Sequence, residues 1–207
     1  MARPIALAAT VVCSSVRGRK PHKGNGYARG YILISYMMTP VTFGNLSGLA
    51  YGREYKQMLH EYAHTAAWWA HAEGLPDERN TITLDPDLSD ARGLPVARVT
   101  YEWGTNDVKL AAAARDKAAE MMSASGARKV RIGLNYGAHA MGSCRMGNDP
   151  KKSVVNQFCQ SHDIKNLFIC DTSVFVTGAG VNPTLTAMAI SNRAAEHIAS
   201  SASRGEL

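Results

Sequence analysis

Hydrophobic positions along the chain change period from segment to segment, and each change marks an element. Tyr31-Ile-Leu-Ile-Ser-Tyr-Met-Met38 is rich in β-branched, aromatic and apolar residues and is closed by Thr39-Pro40, which predicts a strand. A Gly-rich loop is expected from Gly44 to Gly52. From Arg53 to Glu73, Tyr55, Met58, Leu59, Tyr62, Ala66 and Trp69 recur at spacings of three and four. That stripe predicts an amphipathic helix stopping at Gly74, with Pro76 just beyond. Thr81-Ile-Thr-Leu84 and the stretch from Val96 to Trp103 alternate with period two about a polar segment from Asp85 to Pro95, so a hairpin is predicted. Thr105 or Asn106 should cap an Ala-rich helix running to about Ser123 and ending at Gly126. Arg128 to Leu134 and Lys165 to Asp171 read as short strands, and Pro183 to about Ser200 as the last helix, with Asn182 at its N-cap and Pro183 at its first position. Strands with intervening helices and no internal repeat give an α+β plan.

Composition narrows this. The 207 residues suffice for one domain, or one and part of a second, and 45% hydrophobic with 19% charged residues excludes a disordered or fibrous chain. Lys and Arg exceed Asp and Glu by 23 − 17 = 6, and Arg17, Arg19, Lys20, Lys23 and Arg29 crowd into one stretch. That stretch lacks interleaved aromatics or a recognised module, so a solvated loop is favoured over nucleic-acid binding. No apolar run approaches the roughly 20 residues that span a bilayer. The start, Met1 to Cys13, has the shape of a weak secretory signal, but Ile5 to Val12 also fits a buried strand, which is the favoured reading. Four cysteines without a CxxC pair leave both the cytoplasm and the periplasm open, the cytoplasm slightly favoured.

Two patterns suggest metal chemistry. His60-Glu61-Tyr62-Ala63-His64 matches HExxH, which on a helix places two imidazoles one turn apart for zinc with the Glu as base, so a zinc metallohydrolase is one alternative. His60 and His64 fall opposite the apolar stripe, however, and the positions where a further Gly and ligand would stand are Ala67 and Ala70. His139, Cys144, Cys159 and His162 follow no structural-zinc spacing, and no metal ligand is assigned. A dinucleotide fold needs GxGxxG between a strand and a helix. Neither Gly44, Gly48 and Gly52 nor Gly178-Ala-Gly180 has that spacing, and no P-loop is present.

The last third holds the remaining chemistry. His139 stands in a glycine-dense turn, HAMGSCRMG, where backbone can approach a ligand closely. NLFICDTSVFVTGAGVNPTLTAMA follows, from Asn166 to Ala189, and its Asn182-Pro183 opens a helix. On residue chemistry alone, Asn182 is a helix cap and His139 a hydrogen-bonded turn histidine.

Taken together, the two segments resemble the C-terminal signature of the glucose-methanol-choline (GMC) family of FAD-dependent oxidoreductases. The HxMGxxRMG and NPTLT forms are most similar to its sugar- and polyol-oxidising branch, including the sugar dehydrogenases and pyranose oxidase. Gly52-Arg53-Glu54-Tyr55 and the stretch from Leu75 to Pro86 are similar to its substrate domain, so the resemblance runs from about residue 50 to residue 198.

The resemblance implies oxidation of a CH–OH group of a sugar, polyol or other alcohol, with hydride transfer to flavin N5. His139 would take the hydroxyl proton. Imidazole suits that task, and general-base help is typically worth about 10²–10⁴-fold. Asn182 would orient the substrate oxygen. Thr184, with Pro183, opens a helix whose positive end would face the flavin pyrimidine edge. Asp171, with Thr172 beside it, matches a position near the ribityl and pyrophosphate part of FAD. Implied partners are the alcohol or sugar and an electron acceptor, either a protein or a quinone. Residues 1–30 are expected to be the tail of an FAD domain or a basic loop, 31–135 the substrate-binding domain with an antiparallel sheet packed with helices, and 136–207 the catalytic loop and the return of the FAD domain. The Rossmann part with GxGxxG is missing, which points to a truncated reading frame, to a missing half on another chain, or to a non-catalytic remnant or subunit; the first is favoured.

Overall fold

A computed structural model of the chain describes residues 26–133, 137–178 and 180–207. The expected strand at Ile5 to Val12, most of the basic run and Leu134 to Tyr136 lie outside the described residues. The architecture is α+β, with two two-stranded antiparallel sheets and four α-helices among the described residues. Two compact units are formed. The first draws on the chain up to Glu73, on Thr105–Gly137 and on Gly180 and Val181; the second on Gly74–Gly104, Ala138–Gly178 and Asn182–Leu207.

In the first unit, β1 (Tyr31–Tyr36) pairs antiparallel with β2 (Ala67–Ala72), from Tyr31 opposite Ala72 to Tyr36 opposite Ala67. Because side chains alternate between faces, Tyr31, Leu33, Trp68 and Ala70 point to one side. There they pack on Ala114 and Ala118 of α3 (Thr105–Ala124), whose buried positions Leu110, Ala114, Ala118 and Met122 recur at helical spacing. Small alanines at the contact let helix and sheet approach closely. The other face stacks Tyr36 on Trp69 with ring centroids 4.1 Å apart. Arg29 forms an ion pair with Glu73 at 3.1 Å, and burial of Glu73 raises its carboxyl pKa despite that partner.

The helix expected over Arg53 to Glu73 is corrected. The α-helix α2 covers Arg53–Glu61, a 3₁₀ turn follows at Tyr62–His64, and Thr65 is extended with its hydroxyl donating to the Glu61 carbonyl. The rest of the expected helix is β2. Six cross-strand pairs with β1 outweigh the helical spacing of Ala66 and Trp69, a tertiary override of local pattern. The Gly-rich loop is also shorter than expected, since α1 (Pro40–Leu46) enters it. Thr39-Pro40, read as the stop of a strand, is also an N-cap with Pro at the first helical turn, and Thr39 Oγ1 accepts from the Thr42 N–H. Phe43, Tyr55, Met58 and Ala67 form the core below. The strand expected from Arg128 is reduced, over residues 128–133, to a single bridge residue at Ile132.

In the second unit, β3 (Thr81–Ser89) and β4 (Pro95–Thr100) form the expected hairpin. Asn80 extends it, accepting from the Glu102 N–H at 2.8 Å and donating to the Glu102 carbonyl at 3.2 Å. Val155, Cys159, Val174 and Ala194 make the core, the last on α4 (Thr184–Ser203). The strand expected over Lys165 to Asp171 is reduced to a single bridge, Gln160 to Phe168, extended by the Ile169 N–H donating to the Cys159 carbonyl. Its neighbour, Cys159, has φ 64°, a left-handed conformation that interrupts a regular ladder. Helix α4 begins one residue later than expected. Pro183 is the capping residue and its carbonyl accepts from the Ala187 N–H. Asn182 therefore does not cap the helix.

Candidate active site

The two motif segments meet inside the second unit through backbone hydrogen bonds. N–H groups of Gly142, Cys144 and Met146 donate to the carbonyls of Thr172, Ser173 and Val174 at 3.1, 3.1 and 2.8 Å. Thr172 Oγ1 donates to the Ala140 carbonyl at 2.9 Å. The histidine loop is thereby stitched to the 3₁₀ turn Thr172–Val174. Behind it, His162 Nε2 lies 3.1 Å from the Gly147 carbonyl and 3.0 Å from Ser153 Oγ, whose hydroxyl donates to the Asp149 carbonyl at 2.6 Å. A Cβ on Gly147 would stand 2.9 Å from that of Ser153, so only glycine allows the approach.

At the end of this stitched loop, His139 Nε2 and Asn182 Nδ2 lie 3.5 Å apart. His139 has φ 61°, and Ser143 and Gly142, in the same loop, have φ 82° and 86°. For a histidine that conformation costs of order 1–3 kcal/mol and persists only where neighbouring bonds enforce it, as the Ala140 and Gly142 tethers do. The pair is not deeply buried: Asn182 is exposed and His139 half-buried, so both can be reached by a small molecule. A carbinol between them can give its hydroxyl proton to the imidazole nitrogen while its oxygen accepts from the carboxamide.

The other expected site residues lie around this pair. Asp171 is exposed, and its Oδ1 accepts from the Ser173 N–H at 2.8 Å. Hydrogen bonds from the Ser173 side chain and backbone hold its carboxyl below the usual carboxylate range, so it is an anionic acceptor at neutral pH. The Thr172 hydroxyl proton is committed to Ala140, so this residue ties the loop and retains acceptor capacity only. Pro183 is buried; Thr184, Leu185 and Thr186 are exposed in the first turn of α4, which carries no side-chain cap. Their N–H groups, with the partial positive charge of a helix start, suit an electron-rich acceptor such as the carbonyl edge of a flavin. An anionic acceptor at Asp171 and open donors at α4 therefore fit the flavin and ribityl portions of FAD in chemistry. The loop tethers Ala140 and Gly142 were not singled out in the sequence as site residues, because nothing local marks a carbonyl as the partner of a residue thirty positions away, and His162, weighed there only as a metal ligand, instead braces the Gly147 carbonyl.

HExxH is placed differently from a zinc helix. The α-helix ends at Glu61, His64 lies in the 3₁₀ turn, and His60 and His64 are both exposed. The Glu61 carboxylate accepts from Gln57 Nε2 at 3.0 Å and faces Lys129 Nζ at 3.8 Å. Among the described residues no group of three potential metal ligands converges, and no helix is long and apolar enough to cross a membrane.

Comparison with known proteins bears on the same segments. A family model described as GMC oxidoreductase matches residues 76–191. The chain is 39% identical over 183 residues to a 2-methyl-1,2-propanediol dehydrogenase of Mycolicibacterium austroafricanum, covering 84% of this chain and 33% of the relative. It is 34% identical over 145 residues to the fructose dehydrogenase large subunit of Gluconobacter japonicus, covering 69% of this chain and 27% of that protein. A gluconate 2-dehydrogenase flavoprotein of Pantoea cypripedii is 31% identical over 147 residues, 65% of this chain and 24% of its own length. The chain thus spans a third or less of the length of these curated relatives.

Proposed function

The chain belongs to the GMC oxidoreductase family, and from that premise we propose that it forms the substrate-facing part of a site where FAD oxidises a CH–OH group of a sugar, polyol or other alcohol. The observation that carries the reading is the 3.5 Å approach of His139 to Asn182, between segments that the chain separates by 43 positions.

In this reading Asp171 and the first turn of α4 at Thr184 hold the ribityl and pyrimidine portions of FAD, with Pro183 fixing where that turn begins. FAD supplies the two-electron acceptor for the carbinol hydride. His139 Nε2 receives the hydroxyl proton as the C–H bond gives up its electron pair, leaving a carbonyl. Asn182 Nδ2 donates to the substrate oxygen, fixing the direction in which the C–H bond points. Thr172 acts through the Ala140 carbonyl to keep His139 in its left-handed conformation.

Residues 31–135 serve as the substrate-binding part and 136–207 as the catalytic loop with the return of the FAD domain. The dinucleotide-binding part comes from polypeptide outside these residues, and electrons leave to a protein or quinone acceptor. A relative named as a large subunit supports a multi-part assembly.

The test is a flavin spectrum of the chain completed with the remaining part of a GMC polypeptide. Addition of a sugar or polyol should bleach the oxidised flavin, and His139→Ala should slow bleaching by about 10²–10⁴-fold with flavin still bound. Bleaching at the unaltered rate in His139→Ala contradicts the reading.

A further inference from the structure

We propose that Cys159 and Cys170 are a redox-active thiol pair, which a peroxide closes to a disulfide beside the segment that carries Asp171 and Thr172. This chemistry is independent of the flavin site and needs no second polypeptide.

Backbone pairing brings the two residues together. The bridge between Gln160 and Phe168 is antiparallel, so Cys159 stands opposite Ile169, whose N–H donates to the Cys159 carbonyl at 2.9 Å. In a regular ladder Cys170, one position further on, would turn its side chain to the other face. Cys159 has φ 64°, a left-handed conformation uncommon for a residue with a Cβ, and this breaks the alternation. The Cys159 thiol hydrogen-bonds with Cys170 as a result. Both belong to one core, where Cys159 is fully buried with Val155, Val174 and Ala194 and Cys170 packs against the same cluster. The flanking backbone is held as well. The Cys159 N–H donates to the Asn156 carbonyl at 3.0 Å, and the Cys170 carbonyl accepts from Ser191 Oγ of α4 at 2.5 Å. Neighbouring sulfurs on a fixed backbone need only a small closure to bond.

Unequal exposure gives each thiol its own step. Cys170 is half-buried, whereas burial keeps the Cys159 thiol protonated well past neutral pH. Reactivity toward peroxide follows access and thiolate character, so Cys170 reacts first. Its sulfur attacks hydrogen peroxide; an S–O bond forms, the O–O bond breaks, and water leaves with the thiol proton. The Cys159 sulfur then attacks the sulfenic sulfur of Cys170. An S–S bond forms and the S–O bond breaks, and the hydroxyl leaves as water with the Cys159 proton. Two thiols and one peroxide thus give one disulfide and two waters, with the sulfurs oxidised and the peroxide oxygens reduced.

The test treats the full, reduced chain with one equivalent of hydrogen peroxide, alkylates it unfolded and digests it with trypsin without reduction. Peptides 153–165 and 166–193 should be recovered joined, and dithiothreitol should separate them. The oxidised chain should melt about 4–10 °C above the reduced one, because the bond closes a loop of about a dozen residues in the unfolded chain. Cys159→Ala removes the resolving thiol, so Cys170 should stop at the sulfenic acid and take up dimedone at least about fivefold more than wild type. Cys170→Ala, at the less buried position, checks the order of the steps: Cys159 should then remain an alkylatable thiol after peroxide. The inference fails if wild type yields the two peptides unjoined, or if the disulfide runs to Cys144 or Cys13. It fails equally if the joined form melts at or below the reduced one, if Cys159→Ala takes up no extra dimedone, or if Cys159 is oxidised in Cys170→Ala.

Discussion

The Thr172 hydroxyl donates to the Ala140 carbonyl at 2.9 Å, a bond that joins the residue after Asp171 to the residue after His139. Its consequence is positional, since His139 holds φ 61° beside it. Thr172→Val removes the donor while keeping the shape. A hydrogen bond is worth about 0.5–1.5 kcal/mol, so turnover of the completed enzyme should fall about three- to tenfold. Stopped-flow flavin reduction is the measurement, and Thr172→Ser, which keeps the hydroxyl, should restore most of the rate.

Asp171 links the loop to pH. Its carboxyl lies below its ordinary value of 3.8 because the Ser173 side chain and N–H hydrogen-bond it. A depressed folded-state pKa means that the unfolded chain binds the proton first. The stabilisation is therefore complete above about pH 4 and is lost as pH falls below 3.8. Acid unfolding followed by circular dichroism should start at higher pH in wild type than its neutral stability alone implies, and Asp171→Asn should show a flatter fall across that window.

Cys159 acts at the other end of the scale. Burial, then the neighbouring Cys170, pushes its thiol up to about 11 from 9.0. The folded state then keeps the proton longer than the unfolded chain, so its contribution is fully present below pH 9 and is lost between 9 and about 11. Cys159→Ala should cost about 1 kcal/mol at neutral pH and flatten the alkaline decline in urea midpoint. Iodoacetamide at pH 8 should modify the half-buried Cys144 well before Cys159.

Gly44 sits against Tyr55. A Cβ there would overlap the phenol oxygen and stand 2.8 Å from ring atom Cε2, while the hydroxyl bonds Asn45 Oδ1 at 3.3 Å. Tyr55 is buried with Phe43 and Met58 and has little room to give. Gly44→Ala should destabilise the first unit by about 1–3 kcal/mol, measured by chemical denaturation.

Legibility in the sequence followed the range of the forces. Helix α3 and the β3–β4 hairpin were readable because their Ala-rich stripe and period-two alternation are local. The start of helix α4 was readable to one residue, moved because Asn182 turns to His139 instead of capping, and its end runs on to Ser203, past the expected Ser200. Ala67 to Ala72 misled the helical reading because its partner, β1, lies more than thirty positions earlier, and nothing within six residues announces that pairing. The α1 helix was hidden in plain chemistry, since Thr39-Pro40 both ends a strand and starts a helix. The candidate site was suggested as two motifs by family likeness, whereas the stitching of Gly142, Cys144 and Met146 to Thr172, Ser173 and Val174 uses backbone groups that every residue carries.

The pairing of His139 with Asn182 is tested most directly by a double-mutant cycle on kcat of the completed, flavin-loaded enzyme. Groups in contact on one substrate oxygen are coupled, typically by about 0.5–3 kcal/mol, whereas independent groups add within about 0.5 kcal/mol. The account predicts that Asn182→Ala costs far less in the His139→Ala background than in wild type. Strict additivity of the two substitutions would contradict it.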